Sequence, residues 1–414
     1  MSERLLFISN GHGEDDNSSH VIRTLRAIRP SLDISAVAIV GEGNAYRKLD
    51  VPIIGPTYTL PSGGFTYMNR LLLIDDIKAG LLTKSWQQFQ AMRAAAPGMD
   101  LIVATGDTVP QAFAYFSGRP FVANIAPLSA MYEGTLKLDV LLWPIFRSAR
   151  CRAVATRDND TAKDLKRQGL SKVCFGGMPS ADRIQPTGKA LNLDESQQMV
   201  ALLPGSRTAE AIRNFKVEMQ LVQEVAQINP AIPFRAALVP SVMDRVAQIA
   251  SETGWHSEVM YTDNQSPWIK LSHAGSAQYP QPAEIFCYQD AYSDIIRQTT
   301  LVVGMAGLAI EQAVAIGKPI VQIPGEGPQF TYAFAEAQNR LHGLSIQTVG
   351  TAAATADTIK EAAQTVVSTL QDSDYLQACV ENGFKKFGPL GGSARIANLI
   401  LKHLDESGGD NNAH

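Results

Sequence analysis

Short, wholly apolar runs recur along the chain, and each is stopped by glycine, proline or a small polar residue. Residues 5–9, 34–40, 101–104, 120–125 and 153–156 make a first series. Runs this short, without polar alternation, predict parallel strands buried on both faces. Segments of helical spacing separate them: 18–28, where Val21, Ile22 and Leu25 share one face, then 77–94 and 161–168. The opening strand, glycine turn and helix read as the start of a βαβ unit. The rhythm pauses at Gly176-Gly-Met-Pro179 and Pro186-Thr-Gly188, and a second series follows at 199–203, 234–239, 285–287, 301–303 and 319–323. Two successive series predict an α/β protein of two doubly wound domains with a cleft between them, divided after residue 188.

Composition narrows the function classes. The 414 residues are more than one domain ordinarily needs, and 45% hydrophobic content supplies two cores. A formal charge of −4 gives no support to a surface that tracks nucleic-acid phosphates. Cys151, Cys174, Cys287 and Cys379 are far apart, with no metal-ligand spacing, so they read as reduced structural thiols. The histidines also lack partners at ligand spacing, so no metal is expected. The chain enters a strand at once, without a leader-like pattern, and no window of 18 apolar residues is present; a cytoplasmic protein is the expectation. The apolar stretch from Phe65 to Trp86, with Arg70, Lys78 and Lys84, suits a membrane-surface helix or an ordinary packed one. Asp75 and Asp76 would repel anionic lipid and favour packing.

Several turns carry candidate chemistry. In Leu202-Leu-Pro-Gly-Ser-Arg207 a strand ends in small residues before a helix. Backbone N–H groups around Gly205 and Ser206, with the Arg207 fork, suit an anion, although such turns are also ordinary in α/β folds. In Gly304-Met-Ala-Gly-Leu-Ala-Ile-Glu311 a turn of little bulk, with Met305, Ala306 and Gly307, aims a helix dipole that suits a diphosphate. Glu311 is either an acceptor for two ribose hydroxyls or a first-turn acid that complements the dipole. Gln338 and Asn339, beyond the rigid Pro324-Gly-Glu-Gly-Pro328 loop, carry amides for sugar hydroxyls or simply a polar helix face.

The first half offers carboxylates. Asp107, after the strand at 101–104, stands where an α/β sheet presents a general base, and where a helix cap would also stand. The turn Asn10-Gly-His-Gly-Glu-Asp-Asp16 has too many acids for an anion site. It reads as an acceptor-side loop of Gly11, Gly13, Glu14 and Asp15 in the cleft, with His12, Glu14 and Asp15 as second-choice bases.

These segments resemble the lipid-A-disaccharide synthases. Leu202-Leu-Pro-Gly-Ser-Arg207 with Glu210 is similar to their LLPGSR-x-x-E signature. The Gly304 to Glu311 turn resembles their SGTATLE segment, with Glu311 on its glutamate. Phe175-Gly-Gly-Met-Pro-Ser-Ala-Asp182 resembles their F-x-G-H-P-x-A-D linker, and Gly106-Asp107 falls where they place a catalytic aspartate. The Gly388-Pro-Leu-Gly-Gly-Ser-Ala-Arg395 segment before a last helix also looks like the end of this broader group. The first half departs: Ala126-Pro-Leu-Ser-Ala-Met-Tyr132 replaces an aromatic PSVWAW-type loop, Met178 replaces the linker histidine, and Gly11-His-Gly-Glu-Asp15 replaces a GEASGD opening. The stretch Ala335-Glu-Ala-Gln-Asn339 looks closer to peptidoglycan glycosyltransferases and UDP-N-acetylglucosamine 2-epimerases.

The resemblance implies a GT-B architecture: an acceptor domain at 1–188, a donor domain at 189–389, and a final helix at 390–406 packing back on the first. It implies a UDP-sugar donor and a lipid or glycolipid acceptor, joined by a metal-independent, inverting hexosyl transfer. Asp107 would be the base, Glu311 the ribose ligand, and Ser206, Arg207 and the backbone near Ala306 and Gly307 the diphosphate site. A sugar 2-epimerase and a non-catalytic nucleotide-sugar-binding protein are the alternatives. Peripheral contact with the inner face of a membrane and a homo-oligomer both stay open.

Overall fold

The computed structural model describes residues 2–58, 81–194, 197–262, 265–304, 307–327 and 330–411. The chain divides into two compact units, one of residues 1–182 with 387–414 and the other of residues 183–386.

The first unit runs β1 (Arg4–Ser9), α1 (His12–Ile28), β2 (Asp33–Ala38), α2 (Leu81–Ala95), β3 (Leu101–Thr105), α3 (Thr108–Phe116), β4 (Phe121–Asn124), β5 (Cys151–Thr156), α4 (Asn159–Arg167) and β6 (Val173–Phe175). The second runs β7 (Val200–Leu203), α5 (Thr208–Ile228), β8 (Phe234–Ala237), β9 (His256–Met260), β10 (Trp268–His273), β11 (Ala283–Tyr288), α6 (Tyr292–Gln298), β12 (Leu301–Gly304), α7 (Leu308–Ala315), β13 (Ile320–Gln322), α8 (Tyr332–His342), β14 (Ile346–Thr348), α9 (Ala356–Gln371) and α10 (Ser373–Phe387). The last helix, α11 (Gly392–Asn411), belongs to the first unit.

The first sheet has the order β2-β1-β3-β4-β5-β6 and is parallel throughout. One face buries Leu6, Ile8, Ile102, Ala104 and Phe121 against α2 and α3, and the other buries Leu5, Phe7, Leu101 and Val103 beneath α1 and α11. From α11, Ile396, Ile400 and Leu404 enter that second core. Its start is fixed by Asp182, whose two oxygens accept from Gly391 N at 2.6 Å and Ser393 N at 2.7 Å. A carboxylate there satisfies orphan N–H groups and complements the helix dipole.

The second sheet has the order β14-β13-β12-β7-β8-β11-β10-β9, parallel except for the β9–β10–β11 meander. The apolar runs expected to be strands fall on strands in both sheets. Four strands carried too little signal. β6 and β14 are three residues each; β9, the antiparallel edge strand, is largely exposed and its His256-Ser-Glu-Val-Met260 is not an apolar run, and β10 beside it mixes buried and half-buried positions. The first helix begins at His12, ahead of the expected 18, because Gly11 is an extended N-cap and Glu14 and Asp15 suit the positive end of the dipole. Of the apolar stretch from Phe65 to Trp86, residues 65–80 lie outside the described residues; Trp86, on α2, is 58% exposed.

Candidate functional site

In the first sheet the strand order reverses at β1: β2 lies on one side and β3 on the other. Doubly wound sheets bind ligands at the carboxyl ends of the strands flanking such a reversal. Asn10 and Gly11 follow β1 there, and Gly106 and Asp107 follow β3. Asn10 Nδ2 donates to Asp107 Oδ1 at 2.6 Å, and Val109 N donates to the same oxygen at 3.2 Å. Asp107 is therefore the N-cap of α3, which starts at Thr108 and takes Pro110 into its first turn. Capping occupies one oxygen only. Asp107 Oδ2 makes no hydrogen bond among the described residues, so cap and reactive carboxylate are compatible roles.

Gly106 is required by this arrangement. Its φ is +138, and a Cβ on it would lie 2.1 Å from Asn10 Oδ1. Gln111 ties down the same strand end, with Nε2 donating to Ala104 O at 3.0 Å and Gly106 O at 3.3 Å.

The turn after β1 is more helical than its sequence suggests. His12 is the exposed first residue of α1, its ring against Gly41, where a Cβ would lie 2.8 Å from Cε1. Gly13 is exposed, and the Glu14 carboxylate folds back beside Gly11. Asp15, expected in an acceptor-side loop and as a second-choice base, instead points inward and is 1% exposed, because the fourth helical position faces the sheet. Ser9 Oγ donates to Asp15 Oδ1 at 2.6 Å and lies 2.5 Å from the Tyr46 hydroxyl. Since the Ser9 proton goes to Asp15, Tyr46 donates to Ser9. Asp15 Oδ2 is buried without a partner. Burial pushes the Asp15 carboxyl up to about 7; the Ser9 bond opposes this, and the charges of Glu14 and Asp16 add to it.

The second sheet reverses at β7. β8 and β11 run outward on one side, and β12, β13 and β14 on the other. Leu203 and Gly304 are level in the β7–β12 pair, so the two small-residue turns leave adjacent strands at the same height. After β7 come Pro204, Gly205 and the exposed Ser206, with Arg207 the extended N-cap of α5. Asn214 Nδ2 reaches back from α5 to Pro204 O at 2.8 Å and holds the turn. After β12, Gly307 is the N-cap of α7 at φ 77 and ψ −156, a conformation essentially confined to glycine. Gly307 has no side chain to cap α7, and exposed leading N–H groups of a helix are the kind that suit an anion. Glu311 stands about one turn in, half-buried. Met305 and Ala306 lie outside the described residues.

Gln338 and Asn339 lie one strand further out, on α8. The Gln338 amide oxygen is 2.9 Å from His342 Nε2. Asn339 Oδ1 accepts from Gln322 Nε2 at 3.2 Å and Thr348 Oγ1 at 2.8 Å. Both oxygens are engaged inside the unit, and among the described residues neither NH2 group makes a hydrogen bond. The loop beside them is closed by Gly325 N donating to Phe330 O at 2.6 Å, and Phe330 packs under Gly205.

Sequence reasoning missed Asn10, Ser9, Tyr46 and Glu218. Glu218, on α5 one turn beyond Asn214, is buried, and burial pushes its carboxyl well above the usual range, opposed only by the Leu203 backbone. Only Ser9 and Glu218 carried a local signal, a polar residue within or ending an apolar pattern. Among the described residues no group of three or more His, Cys, Asp or Glu side chains is arranged to hold a metal, and no helix is long and apolar enough to cross a membrane.

Two doubly wound units, each with small polar turns at its reversal point, define a GT-B fold. Solved structures of this fold match nearly the whole chain. The calicheamicin glycosyltransferase CalG4 has a TM-score of 0.59 at 13% identity, covering 98% of each chain. MurG of Acinetobacter baumannii has 0.56 at 12% identity, covering 97% of this chain and 99% of that one. UDP-GlcNAc 2-epimerase of Neisseria meningitidis, bound to UDP-GlcNAc, has 0.51 at 12% identity, covering 96% and 100%. In sequence the chain is distantly similar to lipid-A-disaccharide synthases. That of Trichlorobacter lovleyi is 22% identical over 251 residues, and that of Geobacter sulfurreducens 24% over 252. The match spans 58% and 57% of those relatives' own lengths and 57% and 56% of this chain. No family model matches the chain.

Proposed function

We infer that this chain is a glycosyltransferase that moves a hexosamine-type sugar from a UDP-sugar to a hydroxyl of a lipid or glycolipid acceptor. The observation that carries the reading is the pairing of the two small-residue turns, Gly205 to Arg207 and Gly307 to Glu311, on adjacent strands at the reversal of the second sheet. The α7 N-terminus and the Gly205–Ser206 backbone, with Arg207, would hold the diphosphate, and Glu311 would accept from the ribose hydroxyls. The Gln338 and Asn339 amides would donate to the sugar. Stabilising the leaving UDP by fixed dipoles is electrostatic catalysis that needs no metal.

In the first unit, Asp107 would take the acceptor's proton as its oxygen attacks the anomeric carbon, giving inversion. His12 is the second candidate base, and Gly11, Gly13 and Glu14 would line the acceptor side, with Asp15 supporting the turn from beneath. Distant similarity to lipid-A-disaccharide synthases supports a glycolipid acceptor and action at the inner face of a membrane.

Calorimetry against UDP-, GDP-, ADP- and CMP-sugars tests the donor site, with Glu311→Ala beside the wild type. Selective UDP-sugar binding, weakened in the variant, is expected; a protein that binds none of them is not a transferase of this kind. The epimerase likeness favours a second reading, a UDP-sugar 2-epimerase. It requires conversion of UDP-N-acetylglucosamine with no acceptor present, whereas a non-catalytic binder would give neither conversion nor transfer.

A further inference from the structure

The Asn10 side chain is placed at a cost. Its Oδ1 is buried with no hydrogen-bond partner, pressed toward Gly106. Turning the amide over would satisfy nothing, because it would bring Oδ1 against the Asp107 carboxylate. An apolar side chain would avoid the unmade hydrogen bond altogether. What the amide supplies in return is one short bond, Nδ2 to Asp107 Oδ1 at 2.6 Å. That bond has been accommodated by the backbone: the following strand end must carry glycine at 106, in both space and φ, for Asn10 to fit.

The bond also divides the carboxylate. Oδ1 takes two donors, Asn10 Nδ2 and Val109 N, and can rotate away from neither without losing a charge-assisted bond. The cap bond alone, at 3.2 Å, would leave the side chain free to swing about χ2; two donors from different strands' ends fix its plane. Oδ2 is then the one oxygen left to take a proton.

We propose that Asn10 is the positioning residue of Asp107. It holds the inner oxygen so that Oδ2 receives the acceptor hydroxyl's proton while the acceptor oxygen bonds to the anomeric carbon and the bond to the UDP oxygen breaks. This rests on the transferase reading. Asn10 itself touches no reacting atom.

The test is a double-mutant cycle on UDP release from UDP-N-acetylglucosamine, with octyl glucoside as a model glycolipid acceptor. Asn10→Ala is expected to lower kcat about 10- to 100-fold, the scale of a misplaced catalytic group, with donor KM little changed. In an Asp107→Asn background the same change should cost almost nothing, because Asn10 acts only through the carboxylate. Asn10→Leu keeps the approximate size, removes the donor and leaves no polar atom unpaired, so it should lose at least as much kcat while melting close to wild type. Equal losses from Asn10→Ala in both backgrounds would make the residue merely structural and overturn the proposal. So would a fully active Asn10→Ala beside an inactive Asp107→Asn, an outcome that leaves the transferase reading intact. A wild type that binds donor and releases no UDP overturns both.

Discussion

The two sheets each reverse strand order at their first strand and dress their carboxyl edges in opposite ways. The first edge is made of side chains that give and take protons: Asn10 against Asp107, and Tyr46 through Ser9 onto Asp15. The second is made of backbone. Gly205 and Gly307 adopt positive φ, neither following helix has a side-chain cap, and Arg207 and Glu311 are the charged residues the turns carry. The contrast assigns different work to equivalent positions. Fixed N–H dipoles suit an anion whose charge does not change sign, such as a diphosphate. A pinned carboxylate with one open oxygen suits a neutral hydroxyl that must lose its proton.

The largest effect should come from removing that open oxygen's basicity. Asp107→Asn is nearly isosteric and can still accept from Val109 N, so the fold should stand. Transfer should fall about 10²- to 10⁴-fold, the usual contribution of a general base. Donor affinity by calorimetry should not move. If donor affinity falls with transfer, the division of labour between the edges is wrong; if transfer survives, Asp107 is a cap and His12 is the next candidate.

Asp15 sharpens the same contrast through stability. Its folded carboxyl sits at about 7, against an unfolded value of about 3.9. The folded state therefore binds the proton more tightly. Its contribution is greatest below about pH 4, is lost as pH rises to about 7, and is flat above that. About three units correspond to an order of 4 kcal/mol at most. Asp15→Asn should remove this slope, and denaturant midpoints at acid and neutral pH should converge in the variant relative to wild type. An unchanged slope would mean that Asp15 ionises freely and that the Ser9–Tyr46 cluster is not a closed unit.

How much of this could be read from sequence follows the same divide. At the second edge the strand-to-helix turns themselves were legible, because glycine, serine and the apolar run before them are local signals: the turns at 205–207 and 307–311 need only their own neighbours to be recognised. The first edge was legible at Asp107 and illegible at Asn10, since their bond spans 97 positions of chain and depends on β1 and β3 lying side by side. Asp15 was misjudged for a related reason. Three acids in a row read as an acceptor-side loop, but a helix starting at His12 turns the second of them onto the sheet. Strands failed to declare themselves where they were only partly buried: β6 and β14, unlike the equally short but fully buried β13, and β9 and β10 at and beside the sheet's edge, where burial no longer selects apolar runs.

Replacing Glu311 by Ala should weaken UDP-sugar binding by about 10- to 100-fold, as expected for hydrogen bonds to a charged group, with kcat at saturating donor little changed.

The smallest effect tests whether the second edge really binds through its backbone. Ser206 is exposed, and the hydroxyl is its one side-chain donor. If the turn works by N–H groups, Ser206→Ala leaves those groups in place and should cost no more than about 1.5 kcal/mol, roughly tenfold in donor affinity. Gly307→Ala is the informative partner. It keeps every N–H but forces a Cβ into a conformation at φ 77 and ψ −156 that side chains avoid, at about 1 to 3 kcal/mol. The glycine variant should therefore bind donor more weakly than the serine variant, although only the serine variant has lost a polar group. The opposite ranking, measured by calorimetry on both, would show that the second edge recognises its ligand by side chains after all, and the difference between the two sheets would shrink to one of residue choice.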